Sequence, residues 1–182
     1  AEPSLLVDVG GGSVEVIVVV EDTNVYSASL KLGAARMTEQ FVHTDPMSDD
    51  EQADLRAHFK AELDEVLAAC REHGVTTIVG SSGTMKSLVR VTQEQRGEGR
   101  RSPFQHSFPV DEVRTALRWV MRASDDEREA HPAIEPRRVD QIGAGAVLLD
   151  TICAGLPGVR SVRVSPNALR EGMVAYFIDT NY

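Results

Sequence analysis

Asp8, Gly10, Gly11, Gly12, Ser13 and Glu15 fall within one short stretch, D-V-G-G-G-S-V-E, directly after the apolar run Leu5-Leu6-Val7. Three successive glycines strip a turn of side chains, so its amide N–H groups can line a concave anion nest. Glycine also admits backbone conformations closed to other residues. Ser13 offers a hydroxyl donor to the same anion. Asp8, at a strand end, is placed to hold a divalent cation against phosphate oxygens, directly or through water. The competing reading is a plain tight hairpin. That needs one or two glycines and gives no reason for acids on both flanks.

A second small-residue stretch, Gly80-Ser81-Ser82-Gly83-Thr84, follows the β-branched run Val75–Val79 and precedes a predicted helix. Strand, loop and helix N-terminus together suit an anion or a nucleotide. An ordinary tight connection with a serine or threonine cap explains the spacing equally well. Arg96, Arg100 and Arg101 give the polar stretch between Gln93 and Ser107 a local positive charge; such runs serve either as solvated surface or as contacts to an anion. The five histidines have no ligand spacing, and no P-loop lysine or G-x-S-x-G motif is present.

The 182 residues carry 42% hydrophobic side chains and a net charge of −9, a length and composition suited to one domain with a proper core. A net acidic chain is not steered to nucleic acid or to anionic membranes. No apolar run approaches the roughly 20 residues of a membrane span, and the first residues lack the pattern of a secretory leader. Cys70 and Cys153 lie on apolar faces of predicted helices; buried reduced thiols and a cytoplasmic location are the expectation.

Hydrophobic patterning predicts strands at Ser4–Val9, Val14–Glu21, Val25–Leu32, Val75–Val79 and Val159–Val164. The nearly continuous V-E-V-I-V-V-V suggests that the second strand is covered on both faces. Helices are expected from Gly33 to Phe41, after a capping box at Ser48–Glu51 as far as Cys70, at Met85–Val91, around Val110–Met121, at Asp125–Ala130, from Pro136 to Cys153, and at Asn167–Ile178. Gly143 and Gly145 in the penultimate helix point to another backbone packing close. The class is α/β.

Five blocks, in order, resemble the Ppx/GppA family of exopolyphosphatases and guanosine pentaphosphate phosphohydrolases. They are the Asp8–Glu15 turn, K-L-G-A-A-R-M-T-E-Q-F at Lys31–Phe41 with Asp45-Pro46 following, G-S-S-G-T at Gly80–Thr84, R-V-D-Q-I-G-A-G-A-V-L-L at Arg138–Leu149, and V-S-P-N-A-L-R-E-G-M at Val164–Met173. The resemblance implies an actin-like (ribonuclease-H-like, ASKHA) lobe with a mixed five-stranded sheet flanked by helices. It implies hydrolysis of a terminal phosphoanhydride of polyphosphate or guanosine pentaphosphate, with Mg²⁺ as cofactor. Gly10, Gly11, Gly12 and Ser13 would hold the terminal phosphoryl group. Asp8 would place the metal and Glu15 the attacking water, the two forming the catalytic pair. Gly80, Ser81, Ser82, Gly83 and Thr84 would line the cleft where nucleotide-binding relatives pass the adenosine. Arg36 and Arg170 are candidate substrate contacts, with carboxylate pairing as the structural alternative.

Family members also carry a first lobe with its own phosphate loop and a glutamate-bearing S-G-x-E-E-A-like stretch. This chain shows neither, so it reads as residues 1–182 of a single second lobe whose first lobe is absent, inactive by itself and homodimeric in the intact protein. Gly143 stands where the family commonly has proline, and Val14 where it has threonine. A small-molecule kinase lobe and a non-catalytic nucleotide- or polyphosphate-binding module are the alternatives.

Overall fold

The computed structural model describes residues 2–99 and 102–165. Its sheet is six-stranded and mixed. The strands are β1 (Ser4–Val9), β2 (Val14–Val20), β3 (Thr23–Leu30), β4 (Thr77–Gly80), β5 (Ser107–Pro109) and β6 (Ser161–Val164), in the order β3-β2-β1-β4-β6-β5. β1, β2 and β3 form an antiparallel meander, β4 lies parallel to β1, and β6 lies parallel to β4. The expected five strands therefore become six. The addition, β5, is a three-residue edge strand antiparallel to β6, at the end of the polar stretch between Gln93 and Ser107.

The strands themselves show which face of the sheet is covered. Leu5, Val7 and Val9 of β1 and Val14, Val16 and Val18 of β2 are buried, and the residues between them are only half-buried. β2 is thus not enclosed on both sides as its valine run suggests. Strand pleating sends alternate side chains to opposite faces, and its second face, with Glu15, Ile17 and Val19, is open to partial solvent contact. That open face carries both acids of the glycine turn.

The helices are α1 (Ala34–Phe41), α2 (Asp49–Glu62), α3 (Asp64–Glu72), α4 (Gly83–Gln95), α5 (Val110–Arg122), α6 (Asp125–Ala130) and α7 (Ile142–Gly155). α3 packs on β2 and β3, α4 on β1 and β6, and α7 against α1, α2, α4 and α5. The expected single helix up to Cys70 is divided at Leu63, and the helix expected from Pro136 is a short 3-10 turn at Pro136–Arg138 followed by α7. α7 is buried all round from Ile142 to Cys153, as an apolar helix without a polar face must be. Gly143 and Gly145 accommodate side chains rather than a backbone: the Arg128 guanidinium and Met47 lie against Gly143, and the Thr84 methyl lies against Gly145. Cys70 and Cys153 are free and buried, and burial pushes their thiols up to about 11 and about 12. No helix among the described residues is long and apolar enough to cross a membrane.

The β2–β3 hairpin turns through Glu21 and Asp22, both at positive φ (49° and 64°), where the sequence suggests Asp22-Thr23-Asn24. Left-handed backbone costs a β-carbon-bearing residue about 1–2 kcal/mol, asparagine least among them. Glu21→Asn is therefore expected to stabilise the chain by about 0.5 kcal/mol, read as a higher urea midpoint. An unchanged or lowered midpoint would contradict this account of the turn.

Candidate functional site: a glycine turn oriented by a helix

The residues Gly10 to Ser13 join β1 to β2. Gly10 N–H donates to Ser13 O (2.9 Å) and closes the turn. None of the three glycines takes a positive φ, so left-handed backbone is not what they supply. Clearance is. A side chain on Gly10 would press on Ser13 O (3.1 Å), one on Gly11 would meet Ala35, and Gly12 faces open space.

The start of α1 lies directly against this turn. Ala34 N–H donates to Gly10 O (2.9 Å), Arg36 N–H to Gly11 O (3.0 Å) and Arg36 Nε to Gly12 O (3.1 Å). Three successive carbonyls are thus drawn toward α1. Each belongs to a trans peptide, whose N–H points opposite its C=O. The N–H groups of Gly11, Gly12 and Ser13 must therefore face away from α1, and none has a protein acceptor among the described residues. Helix N-termini usually offer their own amides to an anion; here α1 spends its amides on the turn, and the turn presents its own outward.

Gly33, the N-cap of α1, makes this docking possible. A methyl group there would overlap Gly11 C, Gly12 N and Gly12 C. In the sequence Gly33 stands out only as a member of the Lys31–Phe41 block, just before a helix with no side-chain cap. The contact it permits crosses from one element to another and has no local signature.

Asp8 and Glu15 are register partners on β1 and β2, so their side chains leave the same face side by side. Ser81 Oγ donates to Asp8 Oδ2 (2.9 Å). Ser13 Oγ (2.6 Å) and Ser29 Oγ (3.0 Å) both donate to Glu15 Oε1. Each carboxylate keeps one oxygen, Asp8 Oδ1 and Glu15 Oε2, without a partner among the described residues. The Ser13 hydroxyl gives its proton to Glu15, so the donor it adds to the turn is its amide rather than its Oγ. Ser29, absent from the sequence-level set, joins the site through the β2–β3 pairing.

The Gly80–Thr84 stretch lies beside this group through the Ser81–Asp8 hydrogen bond. Gly80 accommodates Met85, and Ser82 caps α4 by accepting from Met85 N–H (3.1 Å). Thr84 is buried and accepts a long hydrogen bond from Arg138 Nη1 (3.4 Å), whose guanidinium covers Gly83. Ser81, Ser82 and Gly83 line an open cleft of about 260 Å³ with Lys86, Phe104, Glu135, Arg137 and Arg138. Arg96 is not part of a free positive patch: it pairs with Glu98 and Glu112 and stacks on Phe108. Arg100, Arg101, Arg170 and the helix expected at Asn167–Ile178 lie outside the described residues. No group of three metal-binding side chains occurs among the described residues.

The pattern of the Ppx/GppA phosphatase family matches residues 1–180. The chain belongs to that family. Among curated relatives, exopolyphosphatase 1 of Mycobacterium leprae is 30% identical over 175 residues, covering 95% of this chain and 51% of the relative. An uncharacterized protein of Streptomyces coelicolor is 33% identical over 180 residues, covering 97% and 53%. The chain therefore spans about half the length of the curated relatives it matches. The fold agrees with solved Ppx/GppA structures. An exopolyphosphatase from Cytophaga hutchinsonii superposes with a TM-score of 0.87 at 22% identity, over 98% of this chain and 58% of that one. The Aquifex aeolicus family member gives 0.82 at 24% identity, over 100% and 58%. The α/β, actin-like reading of the sequence stands, with one strand more than expected.

Proposed function

We propose that this chain is the phosphate-gripping lobe of a Ppx/GppA phosphohydrolase that cleaves terminal phosphoanhydrides, with polyphosphate or guanosine pentaphosphate as substrate. One observation carries the reading: α1 holds the Gly10, Gly11 and Gly12 carbonyls, which leaves the Gly11, Gly12 and Ser13 amides turned outward and unpaired among the described residues. The barrier to phosphoryl transfer lies largely in placing charge and nucleophile. Preorganised amides meet the first need without reorganising during reaction.

Asp8 Oδ1 and Glu15 Oε2 suit a hard divalent cation such as Mg²⁺, which takes one or two carboxylates and completes its shell with water and phosphate oxygens. When bound, the cation would neutralise charge building on the phosphoryl oxygens. Glu15, fixed at Oε1 by two serines, has Oε2 left to orient a water. The cleft lined by Lys86, Arg137 and Arg138 continues from Ser81 and would receive the remainder of the substrate. The relatives' greater length supports a further lobe in the working enzyme that supplies the general base.

The test is a titration of the isotope-labelled chain with inorganic tripolyphosphate and Mg²⁺. The amide signals of Gly11, Gly12 and Ser13 are expected to move together, with no release of phosphate by the chain alone. Shifts confined to other regions would overturn the assignment of the turn. Robust phosphate release would overturn the division of labour between lobes.

A further inference from the structure

Asp8 and Glu15 lie at the centre of a row that crosses four neighbouring strands. Glu15 is the register partner of Asp8 on one side and of Ser29 on the other, and β3, β2 and β1 are consecutive in the sheet. β4 continues the order, and Ser81 directly follows it. Val7 pairs with Gly80, and Ser81 N–H donates to Val7 O (3.1 Å), which sets the serine beside Asp8. Residues opposite one another on paired strands share a face. The two acids are therefore flanked by one hydroxyl at each end, and both hydroxyls are engaged: Ser81 Oγ donates to Asp8 Oδ2 and Ser29 Oγ to Glu15 Oε1. Ser13 also donates to Glu15 Oε1, but it belongs to the glycine turn itself. Ser29 and Ser81 reach the acids from segments outside the turn.

We propose that Ser29 and Ser81 are positioning residues that hold Asp8 and Glu15 as an oriented pair for a divalent cation, an inference that rests on the metal-holding role given to these acids above. Like charges directly opposite each other on paired strands repel, so two untethered carboxylates would rotate apart. A hydroxyl donating to one oxygen of each fixes the plane of the carboxylate, and Asp8 Oδ1 and Glu15 Oε2 remain for the ion. Partners that hydrogen-bond a ligating carboxylate settle its direction before the ion arrives. Small hard dications that take one or two carboxylates demand near-ideal angles, so they gain most from ligands fixed in advance. Serine suits the task because it donates without carrying charge. A lysine or arginine in its place would orient the acid equally well but cancel the charge that attracts the ion.

The experiment titrates the 182-residue chain with Mn²⁺ alone, a paramagnetic dication that shares the preference for carboxylate and water oxygens. In the parent, the amide signals from Asp8 to Glu15 are expected to broaden first. Apparent Mn²⁺ affinity is expected to fall by about tenfold in Ser81→Ala, since Asp8 has no second donor among the described residues. It should fall by less in Ser29→Ala, where Ser13 still donates to Glu15, and furthest in the double variant. Ser29→Thr keeps the hydroxyl and should bind Mn²⁺ as the parent does. Ser29 is exposed, so metal-free tripolyphosphate should move the Gly11, Gly12 and Ser13 amides of Ser29→Ala as it does in the parent. Parent-like Mn²⁺ affinity in the double variant, or a parallel loss of the metal-free tripolyphosphate response in Ser29→Ala, overturns the positioning role and leaves the role of the acids standing. A parent chain whose Asp8 and Glu15 amides ignore Mn²⁺ overturns the metal assignment and this inference with it, while the tripolyphosphate response tests the turn separately.

Discussion

Replacing Gly33 with alanine is expected to destabilise the chain by about 3 kcal/mol and to abolish tripolyphosphate binding. The residue has φ −60° and ψ 148°, a conformation open to any amino acid. Backbone strain therefore contributes nothing, and the whole effect is steric. The added methyl would overlap three main-chain atoms of Gly11 and Gly12. A flexible side chain could swing aside; a turn closed by its own hydrogen bond and held by α1 cannot. Either α1 backs away or the turn shifts. Both outcomes release the carbonyls of Gly10, Gly11 and Gly12 from the helix and with them the common direction of the three amides.

Gly12→Ala supplies the contrast. It adds the same methyl where nothing lies within 4 Å and where φ is not positive. Its stability should match the parent within about 0.5 kcal/mol. Urea midpoints and amide spectra of the two variants separate packing from occupancy of the turn. A Gly33→Ala chain as stable as the parent and with unchanged amide signals in the turn would refute the docking account.

Much of this arrangement is readable from residues alone. β1, β2, β4 and β6 begin or end within a few residues of their sequence bounds, because valine-rich runs broken by glycine leave few alternatives. The capping box at Ser48 and Glu51 is formed as its spacing demands. The clearest departure depends on contacts between segments remote in sequence. β5 is three residues long and exists only because β6 offers it an edge. The helix break at Leu63 interrupts an apolar period that runs on undisturbed, since Leu55, Phe59, Leu63, Val66 and Leu67 are all buried. The valines of β2 imply two covered faces, yet the second face carries Glu15 and is only half-buried. In the site, the acids and glycines are evident from type and spacing. Their geometry is not, because it depends on α1 gripping the turn, on Ser29 across a strand pair and on Ser81 from another loop. Composition suggests the glycines as sources of unusual backbone; none takes a positive φ, and the glycine that makes room for the helix is Gly33, outside the turn.

The second large effect is expected at Asp150, on α7. Its side chain is 6% exposed and joins two helices to α7: Arg114 Nε donates to Oδ1 (2.7 Å), and Arg56 Nη1 donates to Oδ2. Burial pushes the carboxyl up, while the hydrogen bonds and charges of Arg114 and Arg56 outweigh it and hold the group below its ordinary value. A carboxyl depressed in the folded state stabilises the fold above its unfolded pKa, and that contribution is lost as pH falls through the folded value. Glu51 acts in the same direction. Burial raises it, but donors from Thr44, Ser48 and His43 bring it down to about 2. Stability should therefore decline below about pH 4, where unfolded carboxyls take up protons, and continue to fall as the folded-state groups are protonated in turn. Asp150→Asn removes the charge that offsets two arginines. Breaking a buried pair costs about 3–5 kcal/mol; the arginines here are 28% and 34% exposed and can recover some hydration, which places the expected loss near the lower end. The variant should lose that stability at neutral pH and show a shallower decline in acid than the parent, measured by urea unfolding at a series of pH values. Parallel pH profiles for the two proteins would show that the Asp150 carboxylate does not couple proton uptake to folding.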